Sequence, residues 1–337
     1  MHDADARPPL ALVLGLLGLA LMLAALVGLQ VGASGVSALG ALSGAELSPR
    51  ERLILWDIRL PRLILGALVG AALAVSGAVL QGLFRNPLAD PGVVGVTAGA
   101  GLGAVLAILF GGAVVAGPWL VPIAAFAGGW ITTMALYRVA TRDGQTSVAT
   151  LFLAGIGVAA LAGAGTGLVL FVADDTQLRD ITFWSLGSMA GATWGKLAVA
   201  GPIIAIALAA APLLARGLDA LALGEAAAMH LGIRVERLKS GAILIAAAAT
   251  GAAVAISGGI AFVGIVAPHL LRLTIGPGHR ALLPASALLG ATLLLLADLV
   301  ARVVVAPAEL PIGIVTALVG APIFLWLLLG RRGFGEI

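Results

Sequence analysis

Residues 216–239 read RGLDALALGEAAAMHLGIRVERLK, and apolar segments long enough to cross a bilayer lie on both sides of them. Arg216, Asp219, Glu225, Arg234, Glu236, Arg237 and Lys239 concentrate charge in this stretch. Leu218, Leu221, Leu223, Ala227 and Leu231 recur at roughly helical spacing, and Gly232 can close that helix as a C-cap. Ile233, Val235 and Leu238 then begin a second short amphipathic piece. The pattern predicts two short helices of mixed charge held outside the membrane. Such a pair is either a docking surface for a partner or a solvated loop on an interfacial helix, and the stretch alone leaves both readings open.

The flanking sequence decides the fold class. Of 337 residues, 61% are hydrophobic and 10% charged, against about 25% charged in a soluble domain. That composition cannot cover a water-soluble surface. It predicts an all-α integral membrane protein, because apolar spans must satisfy their own backbone hydrogen bonds in lipid. Glycine is abundant, with 47 residues, and Gly66/Gly70, Gly95/Gly99/Gly103 and Gly163/Gly167 stand four residues apart, the spacing that lets helix backbones approach closely. In a glycine-rich chain the same spacing also arises by chance. Cysteine is absent, which excludes disulfides, cysteine-based zinc sites and thiol chemistry. The basic residues lie at span ends, where they face anionic membrane lipid, so the chain is not expected to bind nucleic acid. The first span follows a short charged head with no small-residue cleavage site and reads as a retained helix.

Ten spans are predicted, at about 10–31, 63–84, 93–110, 119–137, 147–172, 197–215, 240–256, 260–273, 282–300 and 312–329. The eighth is short and contains Pro268, so a re-entrant segment is the alternative. With the N-terminus in the cytoplasm and all ten crossing, twelve Lys and Arg residues, among them Arg7, Arg331 and Arg332, fall inside and seven outside; without the eighth crossing the counts become nine and ten. The positive-inside rule favours ten crossings with both termini cytoplasmic. Residues 216–239 are then the main cytoplasmic loop, and 34–56 the main external segment.

Ionisable residues inside the spans are few: His269 and Arg272 in the eighth, Asp298 in the ninth. Ion-coupled carriers bind and release charge within the membrane, so energy is expected from a partner instead. His269, next to Pro268, reads as a buried histidine bonded to backbone that the proline frees. Asp298 and Arg302 are at i,i+4 with the acid first, the favourable order for a structural pair. The turn RNPLADP (85–91) separates the second and third spans. The glycine-rich start that follows suits either tight packing or close approach to a substrate. Arg59 and Arg62 flank Pro61 at the outer face, and Arg302 ends the ninth span; all three suit either carboxylate recognition or interfacial anchoring. The external stretch 174–194, DDTQLRDITFWSLGSMAGATW, predicts a short helix near the mouth of a pathway. No catalytic constellation, cofactor site or metal-ligand spacing is present: His2, His230, His269 and His279 are scattered, and GATWGK (191–196) runs into Leu197 where a phosphate loop needs Ser or Thr.

Three segments carry a family resemblance. RLPRLILGALVGAALAVSGAVLQGLFRNPLADPGVVGVTAGAGLG (59–103) resembles the second and third helices of the FecCD family. GGIAFVGIVAPHLLRL (258–273) and ADLVARVVVAPAELPIGIVTALVGAPIFLWLLL (297–329) resemble its C-terminal signatures. These proteins are permease subunits of binding-protein-dependent ABC importers for cobalamin, haem and ferric siderophores. The resemblance implies a type II ABC importer permease fold spanning 1–337 as one domain, in the bacterial inner membrane. It implies a homodimer, with two cytoplasmic ATPase subunits that hydrolyse the ATP and a periplasmic substrate-binding protein.

By the same resemblance, 216–239 forms the coupling helices, with Leu221, Glu225, Met229, Leu231, Gly232 and Arg234 at the ATPase groove. GEAAAMHLG matches the EAA loop of other importers only loosely, its spacing to Gly232 being one residue longer. Arg59, Arg62 and Arg302 match arginines that meet glutamates of the binding protein. Thr166 and Leu170 in the fifth span, and Ile314 and Leu318 in the tenth, match the pathway lining. QLRDITFWSLGSMAGATW is most similar to haem permeases: Arg179 would attract propionates, and Phe183 and Trp184 would offer apolar faces to a porphyrin. Ferric siderophore and cobalamin are the alternative substrates; an ion-coupled secondary transporter and a membrane-embedded enzyme are the competing classes.

Overall fold

The computed structural model of the chain describes residues 8–32, 35–36, 47–111 and 117–329. Arg7, Arg331 and Arg332, and much of the external segment 34–56, lie outside the described residues.

The described residues form α1 (Leu10–Gln30), α2 (Pro49–Phe84), α3 (Val96–Gly111), α4 (Leu120–Ala140), α5 (Val148–Val172), α6 (Asp175–Leu186), α7 (Trp194–Ala210), α8 (Ala215–Ala222), α9 (Glu225–His230), α10 (Val235–Ser257), α11 (Val263–Ile275), α12 (His279–Val303) and α13 (Ile312–Leu329). A hairpin of β1 (Thr141–Arg142) and β2 (Gln145–Thr146) joins α4 to α5. Each of the ten predicted spans is met by a helix. Seven are long and apolar enough to cross a membrane, and α3, α11 and α13 are shorter apolar helices. Among the boundaries that differ from the sequence reading, two have a clear local cause. The helix of the second span starts at Pro49, because Ser48 and Glu51 form a capping box there, and it passes through a π-helical stretch, Leu53–Arg59, before the apolar run. The third starts late, because Asp90 caps a 3₁₀ turn, Pro91–Val94, that takes up the chain before α3.

α2 is the central post. In its most apolar window 78% of residues are buried, against 6% for α1 at the periphery. It packs against α12, α10, α11 and α7, while α3 pairs with α4 and α1 lies along α12. Close approach explains the glycines of α2. A Cβ on Gly70 would stand 2.3 Å from the Gly290 carbonyl oxygen, and one on Gly77 would stand 1.9 Å from that of Gly264. The same spacing marks close approach in α3, where a Cβ on Gly99 would stand 2.5 Å from the Gly128 carbonyl oxygen and one on Gly103 2.2 Å from that of Ala124, but not in α5, where Gly163 and Gly167 have open space around them.

Pro268 lies inside α11 and cannot donate to the carbonyl four residues back, which is Gly264. That carbonyl accepts from Gln81 Nε2 of α2 at 3.1 Å, and Gln81 Oε1 accepts from Arg272. The carbonyl that the proline frees is thus satisfied by Gln81, and His269 is buried in the same helix, as the sequence reading expects.

The helices run between two ends. α10 starts at Val235 beside the hairpin and finishes at Ser257, whose carbonyl accepts from Ser188 N just beyond α6 at 2.7 Å. One end therefore carries the hairpin with α8 and α9, and the other carries α6.

Candidate coupling surface, outer network and pathway

α8 and α9 depart from the predicted pair of helices. A single helix over 218–231 is broken at Gly224, whose φ of 107° and ψ of 155° suit only glycine. The expected closure at Gly232 is present: with φ of 79°, its N–H donates to the Met229 carbonyl, and Ile233 N–H donates to that of Ala228, a Schellman motif. The piece expected after Gly232 is the first turn of α10. α9 is thus a short rigid unit between two glycine joints.

Burial sorts the predicted contact residues. Leu221 is 1% exposed and packs with Leu218 into the main core, so it holds α8 to the bundle instead of presenting to a partner. Leu223, Met229 and Leu231 are exposed large apolar residues, and Arg234 and Gly232 are exposed beside them. Glu225, its side chain 40% exposed, accepts through Oε2 from Lys239 Nζ at 2.8 Å. α8 is pinned separately. Asp219 Oδ1 accepts from the His279 backbone N–H at 2.9 Å and lies 2.7 Å from His279 Nδ1, so it caps the start of α12 from another helix. A cavity of about 1230 Å³ opens beside α9, its rim carrying Arg85, Arg142, Arg234 and Arg237.

At the other end, the three arginines expected to face a partner are turned into the chain. Arg62 is 8% exposed. It holds Asp298 through Nε at 3.0 Å and Nη2 at 2.8 Å, and Glu309 through Nη1 at 3.0 Å and Nη2 at 2.9 Å. Arg302 Nε lies 3.1 Å from Asp298 Oδ2, the expected i,i+4 pair. The last carbonyls of α1 have no intrahelical donors. Arg302 supplies Gly28 and Val31 at 3.3 and 3.2 Å; Arg59, 5% exposed, supplies Leu29 and Gln30, and also Val36 at 2.8 Å. Cations at that helix end also oppose its negative pole. The sequence shows the arginines but not their acceptors, which come from α1, α12 and the turn after α12.

α6 begins with a capping box between Asp174 and Gln177, and it is the short helix predicted there. Arg179 is exposed, with its guanidinium carbon 5.8 Å from the Phe183 ring centroid. Trp184 is only half open: it is partly buried against the cluster of Ala100, Ala104, Ala125, Val254 and Ala255. Ile314 and Leu318 of α13 line a cavity of about 490 Å³ together with Asp90, Thr97, Ser185 and Ile260. Thr166, half-buried, and Leu170, 38% exposed, lie on the sparsely covered α5 and are not in that lining.

The described residues thus set a bundle of apolar helices between an end that carries α8 and α9 and an end that carries α6, with an open cavity of about 490 Å³ lined in part by α13. The chain belongs to the FecCD transport family, whose profile matches residues 16–330. It is 43% identical over 326 residues to the hemin transport system permease protein HmuU of Yersinia pestis, covering 95% of this chain and 96% of that one. It is 46% identical over 281 residues to the cobalamin import system permease protein BtuC of Halobacterium salinarum, covering 83% and 74%. With the vitamin B12 import system permease protein BtuC of Escherichia coli O157:H7 it shares 42% identity over 319 residues, 93% of each chain. A solved structure described as an inward-facing metal-chelate type ABC transporter superposes with a TM-score of 0.83 at 35% identity, covering 93% of this chain and 97% of that one. The protein is thus a multi-pass membrane permease of an ABC importer, with the type II importer fold.

Proposed function

We propose that the chain moves haem across the bacterial inner membrane, as a homodimer driven by two cytoplasmic ATPase subunits and supplied by a periplasmic binding protein. The observation that carries the choice of haem is the exposed Arg179 set over Phe183 on α6. It pairs a cation for a propionate with an apolar ring for a porphyrin face. The similarity to a hemin permease over nearly the whole chain supports the same reading. Cobalamin is the second reading, favoured by comparable identity to two cobalamin permeases; ferric siderophore is the third.

In this proposal both termini and 216–239 face the cytoplasm. Met229, Leu231 and Arg234, with Gly232 as the joint, meet the ATPase groove, and the half-exposed Glu225 links that surface to Lys239. Substrate passes between α5, at Thr166 and Leu170, and α13, at Ile314 and Leu318. The binding protein docks over the end that holds Arg59, Arg62 and Arg302. These arginines shape that platform through their internal bonds, and Glu309, whose side chain is 39% exposed, is the member of the network nearest to solvent. The permease reconstituted with its ATPase and binding protein tests the substrate. Haem-loaded binding protein should stimulate hydrolysis and cobalamin-loaded protein should not; the reverse result assigns cobalamin, and stimulation by ferric siderophore alone removes both.

A further inference from the structure

Lys239 is the largest fully buried side chain of the protein among the described residues, with 2% of its side chain exposed. An ammonium has three N–H donors and no acceptor, and here each donor has its own acceptor. Glu225 Oε2, the first residue of α9, is at 2.8 Å; Glu236 Oε1, one turn back on α10, is at 3.0 Å; and the Thr146 carbonyl oxygen, at the end of the hairpin, is at 2.8 Å. Thr146 is held from its other side as well, its N–H donating to Glu236 Oε2 at 2.8 Å. The next residue, Ser147, is the N-cap of α5, accepting from Thr150 N–H at 3.2 Å. One ammonium therefore ties α9, α10 and the root of α5 together.

The surroundings give this tie a mechanical meaning. α9 sits between Gly224 and Gly232, both in conformations that glycine alone adopts readily. Ala228, fully buried, packs α9 against the main core, and the Lys239 tie is the polar link that joins α9 to the hairpin. A charge-assisted hydrogen bond is stronger than a neutral one, and although Glu225 and Glu236 are 40% and 37% exposed, the buried Lys239 ammonium is costly to leave without acceptors. α8, by contrast, answers to α12 through Asp219 and His279. We propose that Lys239 is the joint that transmits displacement of α9 to the 141–146 hairpin and so to α5. This makes Lys239 a positioning residue for transport, and it rests on the reading that the ATPase seats on α9.

The chain has no cysteine, so a single introduced cysteine reports one place. A spin label at Q145C reads the hairpin, and one at R280C reads the start of α12; both positions are exposed. The full chain is assembled with its ATPase subunits in nanodiscs, and spectra are compared with and without nucleotide. With Lys239 present, both labels should respond. Lys239→Met should abolish the response at position 145 and keep that at 280. Uptake per ATP hydrolysed, measured with whichever of hemin and cobalamin the unmodified complex accumulates, should fall about five-fold or more, the lower range of coupling between sites. Glu225→Ala removes the acceptor on α9 alone and leaves Lys239 its bonds to Glu236 and Thr146, so it carries the test where Lys239→Met fails to assemble; Glu225→Gln, whose amide oxygen can still accept, should restore part of the response. An unchanged response at 145 with normal uptake overturns the joint, and so does loss at both labels, which would mark Lys239 as a general structural residue. If the unmodified permease does not bind the ATPase through α9, the underlying reading fails; binding with indifferent Lys239 variants sinks the joint alone.

Discussion

Replacing Arg62 by alanine should destabilise the fold before it affects docking of any partner. The guanidinium makes its closest contacts to Asp298, whose side chain is 5% exposed, and to the more exposed Glu309. Removing one member of a buried ion pair costs about 3–5 kcal/mol, because the other charge stays buried without its partner. Two features set the expectation at the lower end. Arg302 remains 3.1 Å from Asp298 and keeps part of its compensation. The Glu309 contact adds little, since exposed pairs contribute about 0.2–1 kcal/mol. Arg62→Ala should therefore cost about 3 kcal/mol, measured by reversible unfolding in mixed detergent micelles. A double-mutant cycle with Asp298→Ala should recover about 0.5–3 kcal/mol of the summed single losses, the range for residues in direct contact. The reasoning is refuted if Arg62→Ala unfolds like the parent protein, shows no coupling to Asp298, and yet loses affinity for the binding protein. That outcome would mean Arg62 leaves its internal acceptors to face the partner.

Gly77→Ala should lower stability by about 1–3 kcal/mol through overpacking against the Gly264 carbonyl, whereas Gly163→Ala, with open space around it, should stay within about 0.5 kcal/mol in the same unfolding assay. Gln81→Leu leaves the Gly264 carbonyl and Arg272 without their partner and should cost about 1–3 kcal/mol; normal stability would mean another group satisfies that carbonyl. Arg179→Ala should reduce stimulation of hydrolysis by haem-loaded binding protein while hydrolysis without substrate stays at the parental level. Equal stimulation would remove α6 from haem recognition.

The architecture was legible because lipid imposes one rule on every span: enough consecutive apolar residues, with their hydrogen bonds made internally. That rule placed ten helices, and glycine chemistry placed the end of α9 at Gly232. The break at Gly224 escaped because apolar spacing runs through it unbroken; LALGEAA at 221–227 reads as continuous helix unless the backbone angle is known. That Leu221 faces the core is hidden from the sequence for a related reason, since periodicity marks an apolar face without saying whether the bundle or a partner covers it. The charges were harder still. Glu236 and Lys239 stand one helical turn apart and announce a local pair. Nothing in the sequence shows that the same ammonium reaches the Thr146 carbonyl 93 residues away, or that Arg62 reaches Asp298 across 236. In a chain with so few charges, external partners were the natural guess for those at the two ends of the bundle. The structure favours internal acceptors for a physical reason. At a helix end in an apolar bundle, orphan carbonyls and buried carboxylates need donors from the chain itself, and a nearby Arg or Lys meets that need without waiting for a partner to arrive. What a partner would meet is the surface those ties hold in place, so a mutation that weakens docking or coupling has to be separated from one that loosens the platform.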